Sequence, residues 1–155
     1  MKTQPFTVEN ARLVYKNFAG LEGDYNNAGD RNFHVVIEDH DYARELEAQR
    51  YNITWPKPNP DIKPEDDERN PTLKVKIKFA DIYIVKSGTN GTGRPEKLEE
   101  QDWEMLDWMT PKQIDLTVKP YDYSDRYSTG TGITAYLQEL VMVVELTELQ
   151  EKYGF

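Results

Sequence analysis

The sequence predicts a mainly β protein, specifically an OB-fold-like antiparallel barrel with two inserted helices and elaborated loops. Three observations support this fold class. Segments in which apolar and polar residues alternate recur along the chain, as they do in strands with one buried face. These segments are too scattered for a regular array of parallel strands and crossover helices. The loops between them are rich in glycine or proline, which is typical of the connections in small β proteins.

The first third of the chain is expected to contain two strands and a helix. Residues 11–16 mix basic and apolar side chains, and residues 32–38 alternate so that one face is apolar. Residues 18–30 between them are rich in glycine and asparagine, which indicates turns. Residues 39–50 have helical spacing after an aspartate N-cap. Residues 52–55 form a short extended piece.

The most regular strand of the chain follows a proline-rich connection. Residues 56–71 contain five prolines among charged residues, so we expect an exposed loop there. Residues 73–79 then alternate strictly, with four apolar side chains on one face and Lys74, Lys76 and Lys78 on the other. The apolar four are expected in the core. The lysines either protect an edge strand from aggregation or form a local anion site.

The second half of the chain continues the sheet. We expect a strand at 81–86, a glycine-rich tip at 87–94, a helix at 95–109, a strand at 113–120, a Tyr- and Gly-rich loop at 121–132 and a long strand at 133–146. Residues 140–144 are continuously apolar, which indicates burial on both faces or a bulge. Residues 1–155 are expected to form one domain, in which residues 145–155 are a short helix or an acidic tail.

Composition excludes several classes of protein. The chain has no cysteine, so disulfides, thiolate metal sites and cysteine nucleophiles are impossible. No run of apolar residues approaches membrane-spanning length and the N-terminus lacks a signal-like apolar stretch, so a cytoplasmic protein with no membrane partner is expected. The formal net charge of −9 argues against binding duplex DNA through bulk charge. Any nucleic-acid site must therefore cluster its basic residues.

The sequence indicates no enzyme, cofactor or metal. His34 and His40 lie near Glu38, Asp39 and Asp41, but such a cluster is more typical of a solvated strand end than of a metal site. No serine–histidine–aspartate arrangement, dinucleotide fingerprint or phosphate-binding loop is recognisable.

Features of single-strand binding are better represented. Such proteins combine a basic groove for phosphates with aromatic side chains on which bases stack. The candidate phosphate contacts are Arg12, Lys16, Lys74, Lys76, Lys78 and Arg126, and the candidate stacking residues are Phe18, Trp55, Tyr121, Tyr123 and Tyr127. Arg12 and Lys16 are expected on the strand face opposite Leu13 and Tyr15, and would extend the lysine row if the two strands are neighbours. Arg31 is expected to be structural, pairing with Asp30 or a loop carbonyl.

Two N-terminal and two C-terminal segments resemble a phage-encoded family of single-stranded DNA-binding proteins with an OB fold. Residues 10–20 and 29–33 resemble the opening of that family, and residues 114–121 and 132–137 resemble its closing strands. The resemblance covers nearly the whole chain in matching order. It implies coating of single strands during phage replication or recombination, without catalysis, in the host cytoplasm.

The leading hypothesis is therefore sequence-tolerant binding of single-stranded DNA. The alternative is an acidic phage interaction or structural module that recruits a partner or mimics DNA. Segregation of the basic residues on one face would favour DNA binding, and scatter would favour the alternative. The C-terminal segment is a candidate contact for replication or recombination proteins, and the long apolar last strand makes a homodimer a further expectation.

Overall fold

The computed structural model describes residues 4–24, 26–87, 93–122 and 132–145. Strands predominate in this part of the chain, with an α-helix and two 3-10 helices between them. In order they are β1 (Phe6–Val8), β2 (Leu13–Asn17), β3 (Arg31–Val36), α1 (His40–Ala48), β4 (Ile53–Thr54), a 3-10 helix (Pro64–Asp66), β5 (Thr72–Ile77), β6 (Asp81–Ser87), β7 (Pro95–Lys97), a second 3-10 helix (Glu100–Asp107), β8 (Gln113–Asp122) and β9 (Ile133–Glu145).

The strands form one sheet whose main path runs β1-β8-β9-β5-β3-β2. Strand β4 extends β5, and β6 pairs with both β9 and β7. The pairings of β9 with β5 and with β6 are parallel, and the other pairings are antiparallel. The backbone N–H of Ala11 donates to the carbonyl of Ile114 at 2.7 Å, which brings the chain before β2 back towards β8. The result is a curved, mostly antiparallel sheet that stops short of a closed barrel.

Strand β9 pairs with three other strands of the sheet. Its pairing with β8 shifts register between Thr117 and Val118, which leaves Gln138 opposite neither residue. Such a bulge bends a strand and increases its local twist. Beyond it, the continuously apolar run keeps a period of two, because Leu140, Met142 and Val144 are fully buried.

The lysine-striped strand is a central strand and not an edge strand. Strand β5 is paired with β3 along one side and with β4 and β9 along the other, so the hypothesis of edge protection is wrong. Leu73, Val75 and Ile77 enter the core as predicted. Phe79 does not, because β5 ends at Ile77 and the chain turns, leaving this side chain 95% exposed.

The first predicted helix is confirmed at its start and its inner face. The carboxylate of Asp39 caps α1 by accepting the backbone N–H groups of Asp41 and Tyr42 at 3.0 and 3.1 Å. Ala43 and Leu46 are buried.

The second predicted helix, at 95–109, is only partly correct. Pro95–Lys97 pairs with β6 as a strand, and Glu100–Asp107 is a 3-10 helix. Trp103, Leu106 and Met109 are all buried, and their spacing of three residues matches the three residues per turn of a 3-10 helix. Within the part of the chain that the structure describes, no helix has the length and apolar character needed to cross a membrane.

Candidate nucleic-acid interface

A row of side chains crosses four strands on the face opposite the core. Asn32 on β3 pairs with Lys76 on β5, Lys76 pairs with Tyr136 on β9, and Tyr136 pairs with Lys119 on β8. Residues paired across strands project from the same side of a sheet. The register therefore alternates lysine, tyrosine and lysine along one line.

Further cations and rings flank this row. The ammonium of Lys78 lies 5.6 Å from the ring centroid of Tyr136, within the range of a cation–π contact. The ring of Tyr121 approaches Tyr136 edge-on at 6.3 Å and is 40% exposed. On the other side of Lys76 lies Lys74, which pairs with His34 of β3. This outer face, defined by Lys74, Lys76, Lys78, Lys119, Tyr121 and Tyr136, is called the lysine–tyrosine face below.

A backbone irregularity in β2 turns Tyr15 towards the same region. Tyr15 has a φ of +53°, and the pairing of β2 with β3 shifts register between Val14 and Asn17. A bulky residue rarely adopts this left-handed conformation, which costs on the order of 1–3 kcal/mol. The ring is 75% exposed and meets His34 edge-on at 5.2 Å. Tyr15 was expected on the apolar face with Leu13, and the bulge is why that expectation is wrong.

Two grooves adjoin Lys74. The first, of about 720 Å³, has Tyr15, His34, Lys74 and Trp108 among its lining residues. Trp108 follows the second 3-10 helix and is 62% exposed. The second groove, of about 400 Å³, is lined on one side by the lysines of the β5 stripe and on the other by the Gly- and Asn-rich turns after β2. Together the grooves extend the lysine–tyrosine face towards β2.

Basic and acidic side chains both occur around the first groove. Burial lowers the pKa of the His34 imidazole below its usual 6.5, and the positive charge of Lys74 lowers it further. Glu22, Glu104 and Asp107 also line the first groove. The Asp107 carboxylate accepts the backbone N–H groups of Phe18 and Ala19 at 2.8 and 3.0 Å, so it serves to hold the chain after β2 in place.

The structure places Lys74, Lys76 and Lys78 on one face, as their alternation predicts. Tyr121 lies near them through its contact with Tyr136, but it belongs to β8 and not to the loop in which it was expected. The structure does not extend the lysine row to Arg12 and Lys16, because β3 lies between β2 and β5. The ammonium of Lys16 donates to the carbonyls of Leu106 and Met109, each at 3.1 Å. Lys16 thus ties β2 to the second 3-10 helix, and Arg12 is exposed just before β2.

Two of the expected stacking residues have other roles. Phe18 is fully buried and stacks on Phe33 at 5.3 Å, so a base cannot reach its ring. Trp55 packs beside α1, where its indole N–H donates to Glu47 at 3.0 Å and Arg44 covers the ring at 5.5 Å. These contacts follow from long-range packing that a local cation–aromatic pattern does not reveal.

Tyr123, Arg126 and Tyr127 lie outside the described residues, as do residues 146–155. Arg31 is structural as expected, but its partners differ from the prediction. It forms an ion pair with Glu100 and lies 5.2 Å from the ring centroid of Trp103.

The histidines make ordinary polar contacts. His34 Nδ1 lies 2.9 Å from the Thr72 hydroxyl, and His40 Nε2 lies 3.0 Å from the Asn70 side-chain oxygen. In the described ranges no three histidine, aspartate or glutamate side chains gather as a metal site would require.

Sequence reasoning missed five residues of this region: Tyr15, His34, Trp108, Lys119 and Tyr136. A signal existed for two of them. Lys119 and Tyr136 alternate in phase with buried neighbours on β8 and β9, so both were predictable as outward-facing. Their adjacency to Lys76 depends on strand order, which the sequence does not contain.

Comparison with known proteins shows the family and the fold. The model of a family described as a phage ssDNA-binding domain matches residues 1–154. Two structures of the single-stranded DNA-binding protein from bacteriophage Enc34, a C-terminal truncation and a complex with ssDNA, each superpose with a TM-score of 0.56 at 12% identity, covering 90% of this chain and 85% of that chain. A third structure of the Enc34 protein gives a TM-score of 0.51 at 12% identity, covering 90% and 80%.

At this identity the Enc34 likeness speaks for the fold, and it confirms the OB-like prediction. No curated protein matches the sequence. The family match spans nearly the whole chain, and it agrees with the resemblance found in the sequence. This protein therefore belongs to the phage ssDNA-binding domain family.

Proposed function

We propose that the protein binds single-stranded DNA across the lysine–tyrosine face with little preference for sequence. The observation that carries this proposal is the line Lys76–Tyr136–Lys119, which alternates cation, ring and cation across three neighbouring strands. Phosphates and bases alternate along a single strand in the same way. A sheet face with this arrangement can hold the backbone on its lysines and stack bases on its tyrosines.

The lysines supply the charge that the whole protein lacks. Lys74, Lys76, Lys78 and Lys119 lie on one face of a chain whose formal net charge is −9. This segregation favours DNA binding over the alternative of an acidic module that recruits a partner or mimics DNA, because such a module has no use for clustered lysines. Arg126, Tyr123 and Tyr127 remain sequence-based additions to the set.

The tyrosine rings explain why the protein would bind single strands of any base sequence. Every base has a π-face, so stacking on Tyr136 and Tyr121 does not distinguish one base from another. In the unbound protein Lys78 lies over the Tyr136 ring. A base that stacks there displaces this ammonium, which then becomes available to a neighbouring phosphate.

The biological role that fits is coating of single strands in phage DNA replication or recombination, by binding and without catalysis, in the host cytoplasm. Residues 145–155 are a candidate contact for replication or recombination proteins. A homodimer would extend the DNA-binding track over two copies.

Fluorescence anisotropy with labelled oligo-dT over a range of salt concentrations tests the proposal. Each phosphate contact contributes about −0.7 to the slope of log K against log salt for single strands. The triple variant K74Q/K76Q/K119Q should therefore flatten the slope by about 2 and weaken binding strongly at low salt.

The double variant K57Q/K63Q, which removes two lysines from the exposed proline-rich loop, is the matched control. It should leave the slope unchanged. Equal behaviour of the two variants, or no salt-dependent binding by the wild type, would show that the lysine–tyrosine face is not the DNA site.

A further inference from the structure

The groove beside Tyr15 and Trp108 is built differently from the lysine–tyrosine face. Tyr15 is 75% exposed and Trp108 is 62% exposed, and both line the same groove of about 720 Å³. Apolar side chains that are exposed together in one groove are typical of a surface that binds a ligand or partner. Neither ring is needed for the core, which lies on the opposite side of β2 and β3.

Charges of both signs line this groove. Lys74, which pairs with His34, also belongs to the lysine–tyrosine face, and the carboxylates of the lining are Glu22, Glu104 and Asp107. The other lining cation, Lys16, donates to two backbone carbonyls. A phosphate entering the groove would approach those carboxylates and be repelled. A neutral base could stack on the two rings beside the uncharged side chains of Asn17 and Asn26, and it could remain attached to a phosphate held at Lys74.

We infer that this groove is a nucleotide subsite that receives one base turned out of the bound strand, stacked on Trp108 and Tyr15, with its phosphate at Lys74. The inference rests on the proposed function, since it extends the same DNA track by one subsite. The occupant is a nucleobase because the groove is continuous with the lysine–tyrosine face through Lys74 and its rings match a flat aromatic ligand.

The position of Tyr15 supports a fixed subsite. Its left-handed backbone and its edge-on contact with His34 at 5.2 Å hold the ring outward before any ligand arrives. A ring that is already oriented loses little conformational freedom when a base stacks on it.

Tryptophan fluorescence combined with affinity separates this subsite from a structural role of Trp108. In W108A the stacking surface is lost, and we expect affinity for oligo-dT to fall by roughly 5- to 150-fold, the equivalent of one stacked base. We expect DNA to quench the tryptophan fluorescence of the wild type. In W108F a ring remains but this fluorophore does not, so affinity should stay near that of the wild type while the quenching is largely lost.

W55F is the matched control, because Trp55 is engaged by Glu47 and Arg44 at α1. This variant should keep both the affinity and the quenching of the wild type. Thermal unfolding of each variant confirms that the fold is intact, which the exposure of Trp108 leads us to expect.

Two outcomes would overturn the inference: W108A binding oligo-dT as the wild type does, or full quenching surviving in W108F. Either result would assign the groove to another occupant, such as a protein partner. If W108A is unaffected while K74Q/K76Q/K119Q is weakened, the subsite is wrong and the proposed function stands. If the wild type does not bind oligo-dT, both fail.

Discussion

His34 lies directly opposite Lys74 in the antiparallel pairing of β3 with β5. The imidazole is half-buried there, with Nδ1 2.9 Å from the Thr72 hydroxyl. Two basic side chains thus lie next to each other on the sheet, at the junction of the lysine–tyrosine face with the Tyr15–Trp108 groove. Burial and the neighbouring ammonium both disfavour the protonated imidazole and lower its pKa.

This arrangement predicts a pH-dependent loss of stability. Burial, and then Lys74, lowers the pKa of His34 in the folded protein below 6.5. As the pH falls through 6.5, the unfolded chain takes up the proton first, so folding stability falls until the folded pKa is reached. H34Q should remove this component and give a flatter profile in urea unfolding at a series of pH values. Superimposable profiles for the two proteins would contradict the assignment.

Lysine and tyrosine contacts on the lysine–tyrosine face should be separable by their salt dependence. K76Q removes one phosphate contact, so the salt slope for oligo-dT should flatten by about 0.7. Y136A removes a stacking surface, so affinity should fall by about 1–3 kcal/mol with an unchanged slope. Anisotropy titrations at several salt concentrations measure both quantities, with K63Q as the control. A change of slope in Y136A would mean that the ring acts through the neighbouring cations.

Lys16 is expected to affect stability and not DNA binding. Its ammonium donates to the carbonyls of Leu106 and Met109 in a partly buried position. K16M leaves both acceptors without this donor, which should lower the free energy of unfolding by about 1–3 kcal/mol. Urea unfolding checks the loss. The salt slope of K16M for oligo-dT should match that of the wild type. A flatter slope would show that Lys16 contacts a phosphate.

An ion pair organises the proline-rich connection. Asp67 accepts from the Arg69 guanidinium at 2.9 and 2.7 Å, and the same guanidinium donates to the Lys57 carbonyl at 2.8 Å. D67N should release this contact and speed trypsin cleavage after Arg69, which is followed by Asn70. D66N, which changes the neighbouring exposed carboxylate, is the control and should be cleaved at the wild-type rate.

The stabilisation from the Asp67–Arg69 ion pair depends on pH over a defined range. Hydrogen bonds from the Arg69 side chain and backbone lower the pKa of Asp67 from 3.8 to about 2. The stabilisation is therefore present above 3.8 and is lost as the pH falls through about 2. NMR titration of the Asp67 carboxyl carbon measures this value directly, and a midpoint near 3.8 would show that the pair does not persist in solution.

Local pattern predicted the strands well because alternation reports burial directly. Leu73, Val75 and Ile77 enter the core as their spacing requires. Phe79 continues the same alternation but lies beyond the end of β5, and alternation carries no information about where a strand stops. Two short strands, β1 and β7, were missed because three residues give no readable period.

The binding region was harder to predict because its members come from different strands. Lys76, Tyr136 and Lys119 are neighbours only through the order β5-β9-β8. Tyr15 faces outward because its own backbone is left-handed, a conformation that nothing about a tyrosine in the sequence suggests. Phe18 followed the cation–aromatic pattern of a binding residue, yet its partner is Phe33 in the core.

The three partners of β9 also determine when the protein can fold. Strands β5, β6 and β8 all precede β9 in the chain, and each pairs with it along one segment. Until β9 is present, the apolar faces of these strands have no central strand to join them. Most native contacts thus form between distant parts of the chain, and such topologies fold slowly. During synthesis the earlier strands cannot complete the sheet until β9 has been made, so the binding surface forms only after β9 is available.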